Sequence, residues 1–234
     1  MIKKNLALLC VLGCFVQPSF AAKINIANFG SVQSDFKSFS EDMGSALSYK
    51  AIAPAESLGI TGFDLGVEFS STETKSLAKA TGTSDTSLIV PKLHVHKGLP
   101  LGIDLGVFYS SVANIKLYGG ELRYAIVEGG VAMPAIAIRG AMSKLSGVDQ
   151  LELGTQSLDI SISKGFAMLT PYAGVGTVWV DSTPDAATTL KKESFQQGKT
   201  FAGVNLNFGL TNIAAEWDKT GASTTTSVKL GFRF

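Results

Sequence analysis

The amino-acid sequence predicts an all-β membrane protein, a closed antiparallel up-and-down β-barrel of about ten strands with an N-terminal amphipathic helix. Three observations carry this expectation. From Ile60 onward the chain divides into stretches of roughly ten to fourteen residues with period-two alternation, separated by clusters of Gly, Pro, Ser, Thr, Asp and Asn. The two longest connections between stretches fall on the same side of such a barrel. Aromatic residues collect near both ends of the stretches, with aliphatic residues between them. Strands that cross a bilayer need ~9 to 11 residues when tilted, and alternation gives each a lipid face and a lumen face.

The chain begins with Lys3 and Lys4, an apolar run over residues 6–16, and Ser19-Phe20-Ala21. A basic start, a short apolar stretch and small residues before a break predict a secretory signal peptide over residues 1–21, cleaved after Ala21. The apolar run falls short of the ~20 residues that a spanning helix needs. Both cysteines, Cys10 and Cys14, lie inside it, so the mature chain is expected to hold no thiol or disulfide. Val11-Leu12-Gly13-Cys14 also has the outline of a lipoprotein box, which would acylate Cys14. Leu12 is larger than is usual there, and Ser19-Phe20-Ala21 fits ordinary cleavage better.

The sequence has 20 Lys and Arg against 19 Asp and Glu, and loss of Lys3 and Lys4 leaves it near neutral. Its three arginines, Arg123, Arg139 and Arg233, are far apart in sequence. Phosphate affinity rests on clustered cations, so nucleic acid is not an expected partner.

Residues 22–59 do not alternate. Phe36, Phe39, Met43 and Leu47 recur at helical spacing, with Ser34 and Asp35 as a start and Pro54 as a stop. A helix with this apolar stripe must bury it, either as a plug in the lumen or as a cap under the periplasmic mouth.

Strands are expected at 60–71, 87–97, 101–112, 115–126, 132–145, 151–164, 169–181, 200–209, 211–218 and 223–234, eight and twelve being the neighbouring even counts. With the first strand rising from the periplasmic side, the connections over 72–86 and 182–199 both face outward, while tight turns near 98–100, 127–131, 165–168 and Gly209 face inward. The segments 62–71, Gly-Phe-Asp-Leu-Gly-Val-Glu-Phe-Ser-Ser, and 102–111, Gly-Ile-Asp-Leu-Gly-Val-Phe-Tyr-Ser-Ser, repeat at a spacing of 40 residues. That is the distance from one rising strand to the next, so the repeating unit is a hairpin.

Alternation sorts the side chains. Phe69, Tyr109, Tyr118, Trp179 and Trp217 fall on the apolar face near outer strand ends, and Phe63, Tyr124, Phe208, Phe232 and Phe234 near inner ends. Aromatic belts at two interfaces are what a bilayer selects, whereas a sandwich core would hold large rings at its middle. The opposite face holds Asp64, Glu68, Lys92, His94, His96, Asp104, Glu121, Arg123, Arg139, Asp159, Glu216, Lys229 and Arg233. Mixed signs at that density predict a lumen filled by ion pairs. A lipid-facing sheet must also close, because hydrocarbon offers unpaired edges no partner.

The last nine residues, Thr-Ser-Val-Lys-Leu-Gly-Phe-Arg-Phe, alternate cleanly and end on Phe234. This ending resembles the terminal strand of Gram-negative outer-membrane β-barrels. The resemblance implies an outer-membrane location reached through the periplasm, contact with outer-membrane lipid and lipopolysaccharide, and recognition of the last strand by the β-barrel assembly machinery. The helix followed by Pro54 and the first strand looks like uncharacterised exported barrels, to which no named activity attaches.

His94 and His96 lie two apart on one strand face, and with Asp64 and Asp104 they are the nearest approach to a metal site. Two histidines within a hydrogen-bonded lumen are the simpler account, and no metal or cofactor is expected. No Gly-x-Ser-x-Gly elbow occurs, the histidines fall towards the inner strand end, and Asp181 and Asp185 have no His nearby in sequence. No catalytic constellation is therefore expected. The functions left are an envelope-structural or porin-like role in limited solute passage, a surface-binding role through outer loops contacting host or matrix molecules, and a plugged barrel carrying apolar ligands.

Overall fold

The computed structural model describes residues 26–77, 80, 86–112, 114–148, 150–186 and 188–234. The expected signal peptide, with Cys10, Cys14 and both processing sites, lies outside the described residues.

Period-two alternation becomes ten antiparallel strands: β1 (Phe63–Glu73), β2 (Ser87–Gly98), β3 (Ile103–Val112), β4 (Ile115–Val127), β5 (Ala135–Ser146), β6 (Leu151–Ser163), β7 (Leu169–Pro184), β8 (Glu193–Phe208), β9 (Thr211–Thr220) and β10 (Ser223–Arg233). Each pairs with its sequence neighbours, and β1 pairs with β10 from Asp64↔Arg233 to Thr72↔Thr225, which closes the barrel. Closure removes every long edge, as a sheet in hydrocarbon requires. The end where β1 begins and Phe234 stops is called inner here, and the opposite end outer.

The strand limits differ from those read in the sequence mainly at the β7–β8 hairpin. The expected loop over 182–199 shrinks to 185–192, because β7 runs on to Pro184 and β8 starts at Glu193. Ser, Glu, Gln and Lys in this stretch hide the alternation, yet Val180, Ser182, Gln197 and Lys199 are inward and buried. β3 starts at Ile103 instead of residue 101, because Pro100–Gly102 forms a 3-10 turn in which Leu101 takes φ 67°.

Outward faces are exposed and apolar. Leu65, Val67, Leu105, Val107, Leu122, Leu158, Ile160, Ile162, Val228 and Leu230 form the aliphatic band. Tyr109 and Tyr118 are direct cross-strand partners near the outer end, while Phe63 and Phe234 stack near the inner end with ring centroids 5.9 Å apart. Trp179 and Trp217 are also exposed on the outward face, as are Tyr124 and Phe232, and Phe69 is half-buried on it. Such a contiguous apolar belt on a closed barrel is a lipid-facing surface.

The segment before β1 fills the lumen and does not cap the inner mouth. A 3-10 turn over Ile26–Phe29 leads into helix α1 (Gln33–Leu47). The described chain starts at the outer mouth. There the Ile26 N–H donates to Gln150 Oε1 at 3.0 Å, the Asn28 amide to Ala80 O at 3.1 Å, and the Gln33 amide to Lys191 O at 3.0 Å. From that mouth α1 descends through the outer half of the lumen, and residues 48–62 continue to the inner rim.

Helix and wall are matched in polarity. Phe36, Phe39, Met43 and Leu47, with Phe29, join inward Leu88, Val90, Leu117, Leu145, Leu151, Leu153, Val178 and Val180 of β2 and β4–β7 in one apolar cluster. On the other side, Asp42 accepts from the Ser76 N–H at 2.8 Å and the Ser223 hydroxyl at 2.9 Å. Because the barrel surrounds the helix, burial extends past the stripe to Ser40, Gly44, Ser45 and Ala46. Gly44 permits the closest approach, since a Cβ there would lie 2.6 Å from Val180 Cγ2.

A charge placed mid-height on the outward face should therefore be costly. Leu158→Arg is expected to lower unfolding free energy in phospholipid vesicles by about 2–4 kcal/mol. Urea titration followed by Trp fluorescence reads this, and a cost near zero would remove the lipid-facing assignment.

Candidate functional site

The candidate site is the polar layer of the lumen, below the apolar cluster around α1. Successive strands contribute to it because their inward positions, two residues apart, change here from aliphatic to charged. Asp64, Glu68, Asp104, Glu121, Asp159, Glu216 and Asp218 face Lys50, Lys92, Arg123, Arg139, Lys199, Lys229 and Arg233, so carboxylates and cations are equal in number. Pairing is extensive. Lys229 Nζ reaches Asp64 at 2.9 Å, Lys92 Nζ reaches Glu68 at 2.9 Å, Arg123 Nη2 reaches Asp104 at 2.7 Å and Arg139 Nη2 reaches Asp159 at 3.0 Å. Charges removed from water are tolerated when so compensated.

The wall also satisfies the chain that passes through it. Residues 48–62 are irregular and do not bond to themselves as a helix would, so their buried backbone groups need outside partners. Ser143 Oγ donates to Leu47 O at 2.7 Å, Lys199 Nζ to Tyr49 O at 3.1 Å, and Arg123 Nη1 to Pro54 O at 2.7 Å. In the other direction, the Ala55 N–H donates to Ser163 Oγ and the Leu58 N–H to Asp104 Oδ1, each at 3.0 Å. Lys50 adds a charge contact, its Nζ lying 2.6 Å from Asp218 Oδ1.

The histidines take separate partners. His94 Nε2 bonds Glu68 Oε2, while His96 Nε2 lies 3.0 Å from the Tyr49 hydroxyl and 3.5 Å from Glu121 Oε1. Their rings stack at 5.7 Å, and Tyr49 sits edge-on to His94 and Phe108. Asp64 and Asp104, the nearest carboxylates by sequence, are engaged by Lys229 and Arg123. Among the described residues, no group of three His, Cys, Asp or Glu is placed to hold a metal ion.

All the inward positions read from alternation point into the lumen, Arg233 being half-exposed at the inner rim. Sequence reading missed Tyr49, Lys50, Tyr172, Lys199 and Asp218. Lys199 lay in the expected outer loop, and Asp218 at the last position of an expected strand. Tyr172 is buried and donates to Glu216 Oε2 at 3.0 Å. For Tyr49 and Lys50 there was no local signal, since an irregular segment has no periodicity to give a direction.

Fold and lumen together define a class, the small membrane-spanning β-barrel of outer-membrane type, closed internally by its own N-terminal segment. No protein-family model matches the chain. No curated protein matches it. Solved structures of similar fold include Neisserial surface protein A, at 9% identity over 74% of this chain and 96% of that chain, with a TM-score of 0.33. The KdgM porin is 8% identical over 73% and 99%, with a TM-score of 0.39. The translocator domain of the autotransporter NalP from Neisseria meningitidis is 8% identical over 92% and 100%, with a TM-score of 0.38. At these identities the likeness is one of fold and assigns no activity.

If the Lys50–Asp218 pair anchors the plug to β9, Lys50→Met should destabilise the protein by about 3 kcal/mol, since a buried carboxylate loses its nearest cation. Adding Asp218→Leu should recover part of that loss. Equilibrium urea unfolding of the two variants and the parent gives both values; a double variant no more stable than Lys50→Met alone would contradict the pairing.

Proposed function

We propose that this chain is a non-catalytic outer-membrane barrel with an envelope-structural role, its lumen sealed by its own N-terminal segment. One observation carries the reading: α1 and residues 48–62 occupy the lumen from the outer mouth to the inner rim and bond to the wall along the way. Limited solute passage then requires displacement of the plug. Luminal carriage of apolar ligands fits poorly with a central layer of paired charges. In this reading the exposed β10 face ending at Phe234 is the segment met by the assembly machinery, and lipopolysaccharide surrounds the outer aromatic belt.

A surface-binding role through the outer connections is the competing reading. A polar recess at the outer mouth supports it, bordered by Glu41, Asp42, Lys75, Ser76, Gln197 and Ser223. Deleting the connections over 74–86 and 185–192 separates the two readings, since adhesion to host or matrix molecules would fall while barrel assembly continued.

Conductance in planar bilayers tests the sealed lumen. The intact protein should be silent, and a variant lacking residues 23–58, checked for folding by its heat-dependent migration in detergent gels, should conduct. Steady conductance from the intact protein would overturn the proposal.

A further inference from the structure

The outward faces of β3, β4 and β5 carry a panel that changes character at one height. In register across the three strands stand Ser111, Lys116 and Ser146, and one step towards the inner end Tyr109, Tyr118 and Lys144. These six are exposed, and each ends in a hydrogen-bond donor. The next two rows are apolar: Val107, Gly120 and Met142, then Leu105, Leu122 and Gly140.

Lys116 and Lys144 are diagonal neighbours, with backbones ~7–8 Å apart, so one anion can meet both ammonium groups. The wall itself does not occupy them. Among the described residues, neither lysine forms an ion pair and neither tyrosine hydroxyl a hydrogen bond. Glu152 on β6 lies beyond Gly154, the partner of Lys144, and takes up neither charge. Lys219, the other outward-facing lysine near the outer strand ends, stands alone between Thr200 and Thr224.

A second feature lies below the donors. Gly120 stands between exposed Val107 and Met142, and Gly140 between exposed Leu122 and Leu158. A Cβ at Gly140 would meet nothing within 4 Å, so the two glycines leave a shallow apolar trough that descends from Tyr118. Cations and phenols at the outer aromatic belt, with a trough beneath them on the lipid side, match an amphiphile whose anionic head lies at the interface and whose chain lies along the wall. Three strands span ~10 Å, wider than one phosphate, which leaves the flanking hydroxyls of Ser111 and Ser146 for sugar oxygens.

We propose that the β3–β5 panel binds one phosphorylated glycolipid of the outer leaflet, lipopolysaccharide, through a phosphate of its lipid A. Lys116 and Lys144 pair with the phosphate, Tyr109 and Tyr118 donate to it or to the adjoining sugar, and an acyl chain lies over Gly120 and Gly140. The site rests on the outer-membrane location and not on the sealed lumen, because a conducting and a silent barrel give the same expectation here.

The test titrates the full chain, refolded in detergent micelles, with bisphosphorylated lipid A and counts bound lipid by native mass spectrometry. The parent should retain one lipid A, and Lys116→Gln with Lys144→Gln should weaken it about thirtyfold. Lys219→Gln should leave the affinity unchanged, and lipid A stripped of its phosphates should bind parent and double variant alike. Unchanged affinity in the double variant would overturn the proposal, as would equal retention of dimyristoyl phosphatidylglycerol by the parent. Heat-dependent gel migration checks that each variant is folded. Should the double variant fail that check, Tyr118→Phe, which keeps the ring and removes one donor, decides: it should weaken lipid A severalfold, and no change would contradict the site.

Discussion

An irregular stretch of backbone at membrane depth is the constraint on which the rest of this structure depends. Residues 48–55 are buried inside the filled barrel with no helix or ladder to absorb their peptide groups and no bulk water beside them. Each donor or acceptor must be met by the wall. Arg123 shows the economy of the solution, since it pairs with Asp104 and also donates to Pro54 O. Asp104 in turn accepts from the Leu58 N–H. The luminal charges are at once one another's counter-ions and the partners of the threaded chain. A purely apolar lumen would leave those backbone groups unsatisfied.

The same logic explains the change of character along the lumen axis. Where the chain is helical its peptide groups are internally bonded, so the wall can be apolar, and inward positions of β2 and β4–β7 carry Leu and Val. Where the helix ends at Leu47, the wall turns to Ser143, Lys199, Arg123 and Asp104. Gly44 falls near this transition and lets α1 press against Val180. The polarity of the wall thus follows the hydrogen-bonding state of the chain inside it.

Much of this was legible in the sequence because a barrel strand has only two faces. Once Phe69 or Tyr109 is assigned to lipid, the direction of Glu68 or Phe108 follows, and the inward set is read with no knowledge of contacts. Pairings were not legible: Asp64 meets Lys229 across 165 positions, a relation set by closure of β1 on β10. The direction of the plug was hidden as well. The stripe of Phe36, Phe39, Met43 and Leu47 shows that a face is buried, but a helix can enter a barrel from either mouth. The β7–β8 extension escaped because its outward residues, Asp181, Ser194 and Gln196, are polar above the membrane, where alternation loses its contrast.

The placement of α1 in the outer half of the lumen against β7 is open to a direct chemical measurement. Ser40 and Ser182 bring their hydroxyl oxygens to 2.9 Å. In a chain with Cys10 and Cys14 replaced by Ser, Ser40→Cys with Ser182→Cys should form a disulfide in intact cells, seen as a reductant-sensitive shift in gel migration. Free thiols at both positions, with residue 40 labelled by maleimide from the periplasmic side, would contradict the account.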